Sequence, residues 1–145
     1  MKIVAQRSKN SSVVVDNKIV GKIDKGLVLL VGFTYGDDIQ DIDYMIDKVL
    51  NLRIFDDENG VMNKSVFDIN GKILSISQFT LYADTKKGRR PSYVNALKSE
   101  EAKILYDLFN QKLSEKIEVE TGIFGSEMVV NITNDGPVTI IMESR

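Results

Sequence analysis

The 145-residue chain has no histidine and no cysteine, and only two prolines. The first two absences exclude whole mechanisms. Without cysteine there is no disulfide, no thiolate nucleophile, no iron–sulfur cluster and no Cys-ligated zinc. Without histidine there is no Ser-His-Asp triad and no His-ligated zinc. No remaining side chain has an unperturbed pKa near 7, so general-base chemistry would need a shifted carboxylate or lysine. Excess charge of one sign is also lacking: 19 basic against 21 acidic residues leave a net of -2. That argues against a general nucleic-acid coat, which would carry a strongly basic face, but not against a local basic patch. No apolar run approaches the ~20 residues that span a bilayer. The first residues, Met1-Lys2-Ile3-Val4, lead quickly into polar ones and show no secretory signal, so a cytoplasmic protein without membrane contact is expected.

What is present reads as one ordinary globular domain over residues 1–145, with 43% hydrophobic and 28% charged residues. Val13-Val14-Val15, Asp16-Asn17-Lys18 and Ile19-Val20 predict a hairpin with a polar turn. The apolar run from Leu27 to Phe33 suits a strand buried on both faces. Ile39, Ile42, Met45, Ile46, Val49 and Leu50 recur at helical spacing behind Asp37 or Asp38 as a cap. The stretch Lys72–Ser77 alternates as a strand. A second helix from Ser99, with Glu100 and Glu101 in its first turn, buries Ala102, Leu105, Leu108, Phe109 and Leu113. Two closing strands, around Met128–Ile132 and Val138–Met142, are expected on either side of an Asn134–Pro137 turn. The acidic turn Asp56–Gly60 lacks the alternating ligands and distal glutamate of a calcium loop and is taken as a plain turn.

Three segments could carry chemistry. Lys86, Lys87, Arg89 and Arg90 fall within five positions between Tyr82 and Tyr93, a pattern suited to phosphates and stacked bases or to a solvated loop. Ser77-Gln78-Phe79-Thr80-Leu81 puts hydroxyls and an amide at a strand end. A hydroxyl nucleophile there would need a base, whereas backbone N–H groups aimed at a developing oxyanion need none. Asn134-Asp135-Gly136-Pro137-Val138-Thr139 places a proline just before a strand, where its missing N–H costs no ladder bond.

Together these stretches resemble the D-aminoacyl-tRNA deacylase family, also known as the D-tyrosyl-tRNA deacylase family. Gln6-Arg7, Leu52-Arg53-Ile54-Phe55, Met62-Asn63 and Thr121-Gly122-Ile123-Phe124-Gly125 support the likeness in order along nearly the whole chain. The resemblance implies an α/β domain with mixed β-sheets closing into a barrel-like core and two main helices. It implies a homodimer that hydrolyses the ester at the 3′ end of D-aminoacyl-tRNA, with no cofactor and no metal. Ser77, Gln78, Phe79 and Thr80 would form the catalytic segment, and Gly136, Pro137, Val138 and Thr139 would bind substrate. A cis Gly136–Pro137 bond would enter the partner subunit's site, where its carbonyls reject an L side chain and accept the amino group; achiral glycyl-tRNA would leak through. Thr80 matches a threonine with a positioning role, and the terminal 2′-hydroxyl would assist water. Lys86, Lys87, Arg89 and Arg90 are candidates for tRNA phosphates.

Small departures accompany the likeness. Tyr93 stands where the family usually has phenylalanine, and the start of the second helix lacks a proline often found there. Two other readings compete. One is a catalytically inert nucleic-acid-binding module on the same fold. The other is a serine or threonine esterase that would need a poised buried lysine such as Lys86.

Overall fold

Two long strands at the start of the chain build a twisted hairpin. In the computed structural model, which describes residues 1–145, β1 (Lys2–Val15) and β2 (Lys18–Gly32) pair antiparallel across the Asp16-Asn17 turn. Both turn residues have positive φ, 48° and 61°, as the commonest two-residue hairpin turn requires. The expected hairpin is therefore present, but larger: Ile19-Val20 and the apolar run from Leu27 belong to one strand. Along β2 Leu27, Leu29 and Val31 face one side and Val28 the other, and all are buried, which accounts for the unbroken apolar run.

Helix α1 (Ile39–Asn51) is capped by Asp38, whose carboxylate accepts the N–H groups of Gln40 and Asp41; the Asp41 carboxylate accepts the Asp38 N–H in return. Asp37 instead receives the Met1 ammonium at 2.6 Å. A short ribbon, β3 (Phe55–Asp56) with β4 (Met62–Lys64), surrounds the acidic turn. There the Asp57 carboxylate accepts backbone N–H groups of Asn59 and Val61, chiefly the Val61 bond holding it below its ordinary pKa. Strand β5 (Lys72–Ser77) lies parallel to β2, and β6 (Val119–Thr121) parallel to β5. Helix α2 (Ser99–Ser114) makes the second crossover. Strand β7 (Val129–Glu143) completes a mixed five-stranded sheet of order β6-β5-β2-β1-β7.

The two helices cover one face of this sheet. Ile42, Met45 and Val49 of α1 and Phe109 and Leu113 of α2 meet Ile3, Leu27, Leu29 and Ile73 in the main core. A second cluster joins Val13 and Ile23 to Val28, Leu74 and Ile76 on the other face. Val13 and Ile23 come from the far arm of the hairpin, so the long strands curl back over their own sheet.

Two expectations change. The sheet does not close into a barrel: closure needs a ladder between the outermost strands, and β6 and β7 are free edges. Coiling of the 14- and 15-residue strands, with a bulge between Val13 and Val14, covers the second face instead. Nor are there two closing strands separated by a turn. Both halves of β7 run antiparallel to β1, with Thr133 opposite Lys9 and Thr139 opposite Gln6. A reversing turn is incompatible with that register. From Asn134, opposite Ser8, five steps along β7 oppose two along β1, so residues 135–138 form a bulge in one strand, which accommodates Pro137 without breaking a ladder. No helix is long and apolar enough to cross a membrane.

Candidate active site

The parallel strands β2, β5 and β6 end on the same side, the usual place for a crevice in an α/β sheet. A cavity of about 370 Å³ lies there. Val31, Gly32 and Phe33 wall it from the end of β2; Ser77, Gln78 and Phe79 follow from β5. Tyr93, Ala96 and Leu97 close it from the preceding loop, Ser99 and Ala102 from α2, and Phe124 and Gly125 from the segment after β6. No aspartate, glutamate, lysine or arginine contributes to the wall.

The Ser77–Thr80 segment owes its place to backbone geometry. Gln78 N–H donates to the Val31 carbonyl at 2.7 Å, continuing the β2–β5 pairing by one residue. The chain then tightens into a 3-10 turn, Phe79–Tyr82. Phe79 and Thr80 open that turn, where a helix leaves its first N–H donors without internal partners. Gly32 allows the close approach: a Cβ there would lie 2.8 Å from the Gln78 carbonyl oxygen. The Gln78 side-chain amide donates to the Thr80 hydroxyl at 2.6 Å. Behind the wall, Tyr106 donates its hydroxyl to the Ser75 carbonyl at 2.8 Å, and burial pushes its pKa up.

Of the predicted catalytic residues, Ser77, Gln78 and Phe79 line the cavity, while Thr80 sits behind them as the hydrogen-bond partner of Gln78. Gly136, Pro137, Val138 and Thr139 do not join them within the chain; the first three lie in the β7 bulge and Thr139 resumes the ladder opposite Gln6, toward the opposite edge of the sheet. The Gly136–Pro137 bond is cis, and both residues are exposed. Arg7 Nε donates to the Asp135 carbonyl at 2.9 Å, Val138 N–H to the Asn134 side chain at 3.1 Å, and the Gln6 and Asn134 amides both donate to the Thr139 hydroxyl. Gly136 has φ of +131°, a conformation that favours glycine.

Lys86, Lys87, Arg89 and Arg90 are all exposed and none forms an ion pair. Their loop is closed at its base by paired backbone bonds between Asp84 and Ser92, at 2.8 and 2.9 Å. Lys86 is thus neither buried nor in the cavity wall, and the poised base required by the esterase reading is not provided there. Sequence reasoning gave no role to Ala102 or Phe124 as walls, nor to Arg7 as anchor of the bulge. Phe124 and Arg7 stood inside strings already singled out; Ala102 looked like any core alanine.

The D-Tyr-tRNA(Tyr) deacylase family matches residues 4–143. A curated D-aminoacyl-tRNA deacylase of Bacillus cytotoxicus is 56% identical over the full length of both chains. A solved structure described as c-Myc DNA Unwinding Element Binding Protein superposes with a TM-score of 0.95 at 39% identity, covering 100% of this chain and 99% of that one. A second, described as a probable eukaryotic D-amino acid tRNA deacylase, has a TM-score of 0.83 at 18% identity, with 97% of each chain covered, and supports the fold alone.

Proposed function

The chain belongs to the D-Tyr-tRNA(Tyr) deacylase family and is a hydrolase, a D-aminoacyl-tRNA deacylase, and on that premise we propose how its site works. The cavity takes the 3′-terminal adenosine, and the ester carbonyl meets the N–H groups of Phe79 and Thr80. These donors polarise the carbonyl and stabilise the oxyanion as water attacks. The terminal 2′-hydroxyl of the substrate assists the water, and the products are a free D-amino acid and tRNA. Binding and orientation are the protein's main contribution. The observation that carries this reading is a wall without an acid, a lysine or an arginine, in a chain without histidine.

Chirality is selected by a second copy of the chain. The exposed Gly136–Pro137 segment of one protomer of a homodimer enters the other's cavity mouth, excludes an L side chain and accepts the amino group. Val138 and Thr139 hold it there. Support comes from the free β7 edge, where Ile141 is 67% exposed, and from the separation of the two segments within one chain. Glycyl-tRNA, with no side chain to exclude, is also a substrate. Lys86, Lys87, Arg89 and Arg90 contact tRNA phosphates, and the setting is the cytoplasm.

The test compares D- and L-tyrosyl-tRNA. Release of D-tyrosine with L-tyrosyl-tRNA left intact is expected, and equal release of both would overturn the chirality proposal. Replacing the terminal 2′-hydroxyl by hydrogen should slow hydrolysis strongly; an undiminished rate would reject substrate assistance. The name of the 39%-identical structure and the basic loop favour one second reading, a nucleic-acid-binding module. That reading requires binding with release of neither amino acid.

A further inference from the structure

Phe79 and Tyr93 are large aromatic residues at the cavity mouth that no core claims: they are 56% and 42% exposed. Their rings meet edge-to-face, with centroids 5.2 Å apart and planes at 68°. The chain between them explains what else is near. It leaves the 3-10 turn at Ala83, pairs Asp84 with Ser92, and sends residues 85–91 outward as a closed excursion before returning at Tyr93. The four unpaired cations therefore rise from a stem that begins and ends at the rim. Exposed aromatic rings beside a cationic strip form the combination that holds single-stranded nucleic acid, with bases on the rings and phosphates on the cations.

We propose that Phe79 and Tyr93 are the stacking platform for the nucleotide that precedes the terminal adenosine, and that the 86–90 cluster neutralises its flanking phosphates. The proposal rests on the deacylase reading and extends it from one nucleotide to two. It makes Tyr93 a specificity residue for RNA over small esters. The ring, not the hydroxyl, carries the effect.

The experiment compares 3′-esters of D-tyrosine on adenosine, on the dinucleotide CpA and on tRNA. In the wild type, adding the preceding cytidine should raise kcat/KM by roughly 5- to 150-fold, mostly through KM, the range for stacking one base. Tyr93→Ala should collapse that ratio toward one, whatever it does to the adenosine ester, and Tyr93→Phe should keep it. Arg89→Ala and Lys86→Ala should each flatten the salt dependence on CpA and tRNA, by about 0.7 in log–log slope per phosphate released. A wild type that hydrolyses all three esters with no gain from cytidine overturns the platform and leaves the deacylase reading standing. A ratio unchanged in Tyr93→Ala does the same. A wild type that hydrolyses no D-ester sinks the deacylase reading itself.

Discussion

Replacing Thr80 by valine separates positioning from nucleophilic catalysis. The change keeps the shape of the side chain and removes one oxygen. That oxygen accepts a single hydrogen bond, 2.6 Å from the Gln78 amide, and both residues are only half-buried. A net hydrogen bond contributes about 0.5–1.5 kcal/mol, and an amide that can turn to water stays near the lower end. The Gln78 carbonyl and the Phe79 N–H lie on the same short turn, so the loss appears as slackness in the donors rather than as missing chemistry. Converted at RT of about 0.59 kcal/mol, the expected fall in single-turnover deacylation is roughly 2- to 13-fold. Loss of a true nucleophile is different in kind, on the order of 10⁶ in a serine hydrolase. The assay is single-turnover release of D-tyrosine from D-tyrosyl-tRNA, with thermal unfolding and tRNA binding measured on the same protein. Gln78→Ala should behave alike, and the double variant should lose little more than either single one. A drop beyond about 10³ with Tm and binding intact, or a trapped ester on Thr80, would refute the positioning role.

Three further outcomes follow from local geometry. Gly32→Ala pushes a methyl to 2.8 Å from the Gln78 carbonyl oxygen and 3.3 Å from Leu81 Cβ; it should cost about 1–3 kcal/mol in thermal unfolding and lower kcat more than it raises KM. A variant with wild-type kcat would show that the turn is not held by this close approach. Asp38→Ala removes the cap of α1 and should cost about 1 kcal/mol, or a Tm lower by roughly 2–4 °C; an unchanged Tm would contradict it. The third concerns acid. Arg145, more than any other group, holds the buried Asp41 carboxyl well below its ordinary value of 3.8, against the opposing effect of burial. Its contribution is complete above that ordinary value and is lost as pH falls toward the folded one. Wild-type stability should therefore decline more steeply than that of Asp41→Asn between about pH 5 and 2, and parallel acid limbs would count against the linkage.

The sequence showed the hairpin, both helices and the cavity-lining strand end because each rests on local periodicity. Its limits were equally physical. Ile19-Val20 and Leu27–Phe33 looked like separate strands because the stretch Gly21–Gly26, polar or glycine except for Ile23, interrupts the apolar pattern. That stretch is still paired to β1 by backbone bonds, which read no side chain. Asn134–Pro137 has the composition of a reversing turn, and only the register of both flanks against β1 identifies a bulge. Barrel closure is likewise a matter of which edges meet. Among the cavity-lining residues, Ser77, Gln78 and Phe79 stand in one legible string, but Ala102 becomes a wall only because α2 passes the ends of β2 and β5.

The missing histidines matter differently once the cavity is known. A small hydrolase without them could have moved its general base to a buried lysine or a strained carboxylate, and the wall would then carry one. Instead the wall consists of aliphatic and aromatic groups, hydroxyls, an amide and the backbone. Such a surface can bind a base and ribose and fix an ester, but it offers no side chain that takes a proton near neutrality. On the proposed mechanism, what must move a proton belongs to water and substrate. In that proposal the energetic work of the chain is to hold the Val31–Gln78 and Gln78–Thr80 contacts rigid enough that its amide donors meet the carbonyl in one geometry. Backbone groups are rigid only as far as their packing is. On that proposal the rate should respond most to residues that press the turn against β2, Gly32 foremost, and less to side chains such as the Thr80 hydroxyl.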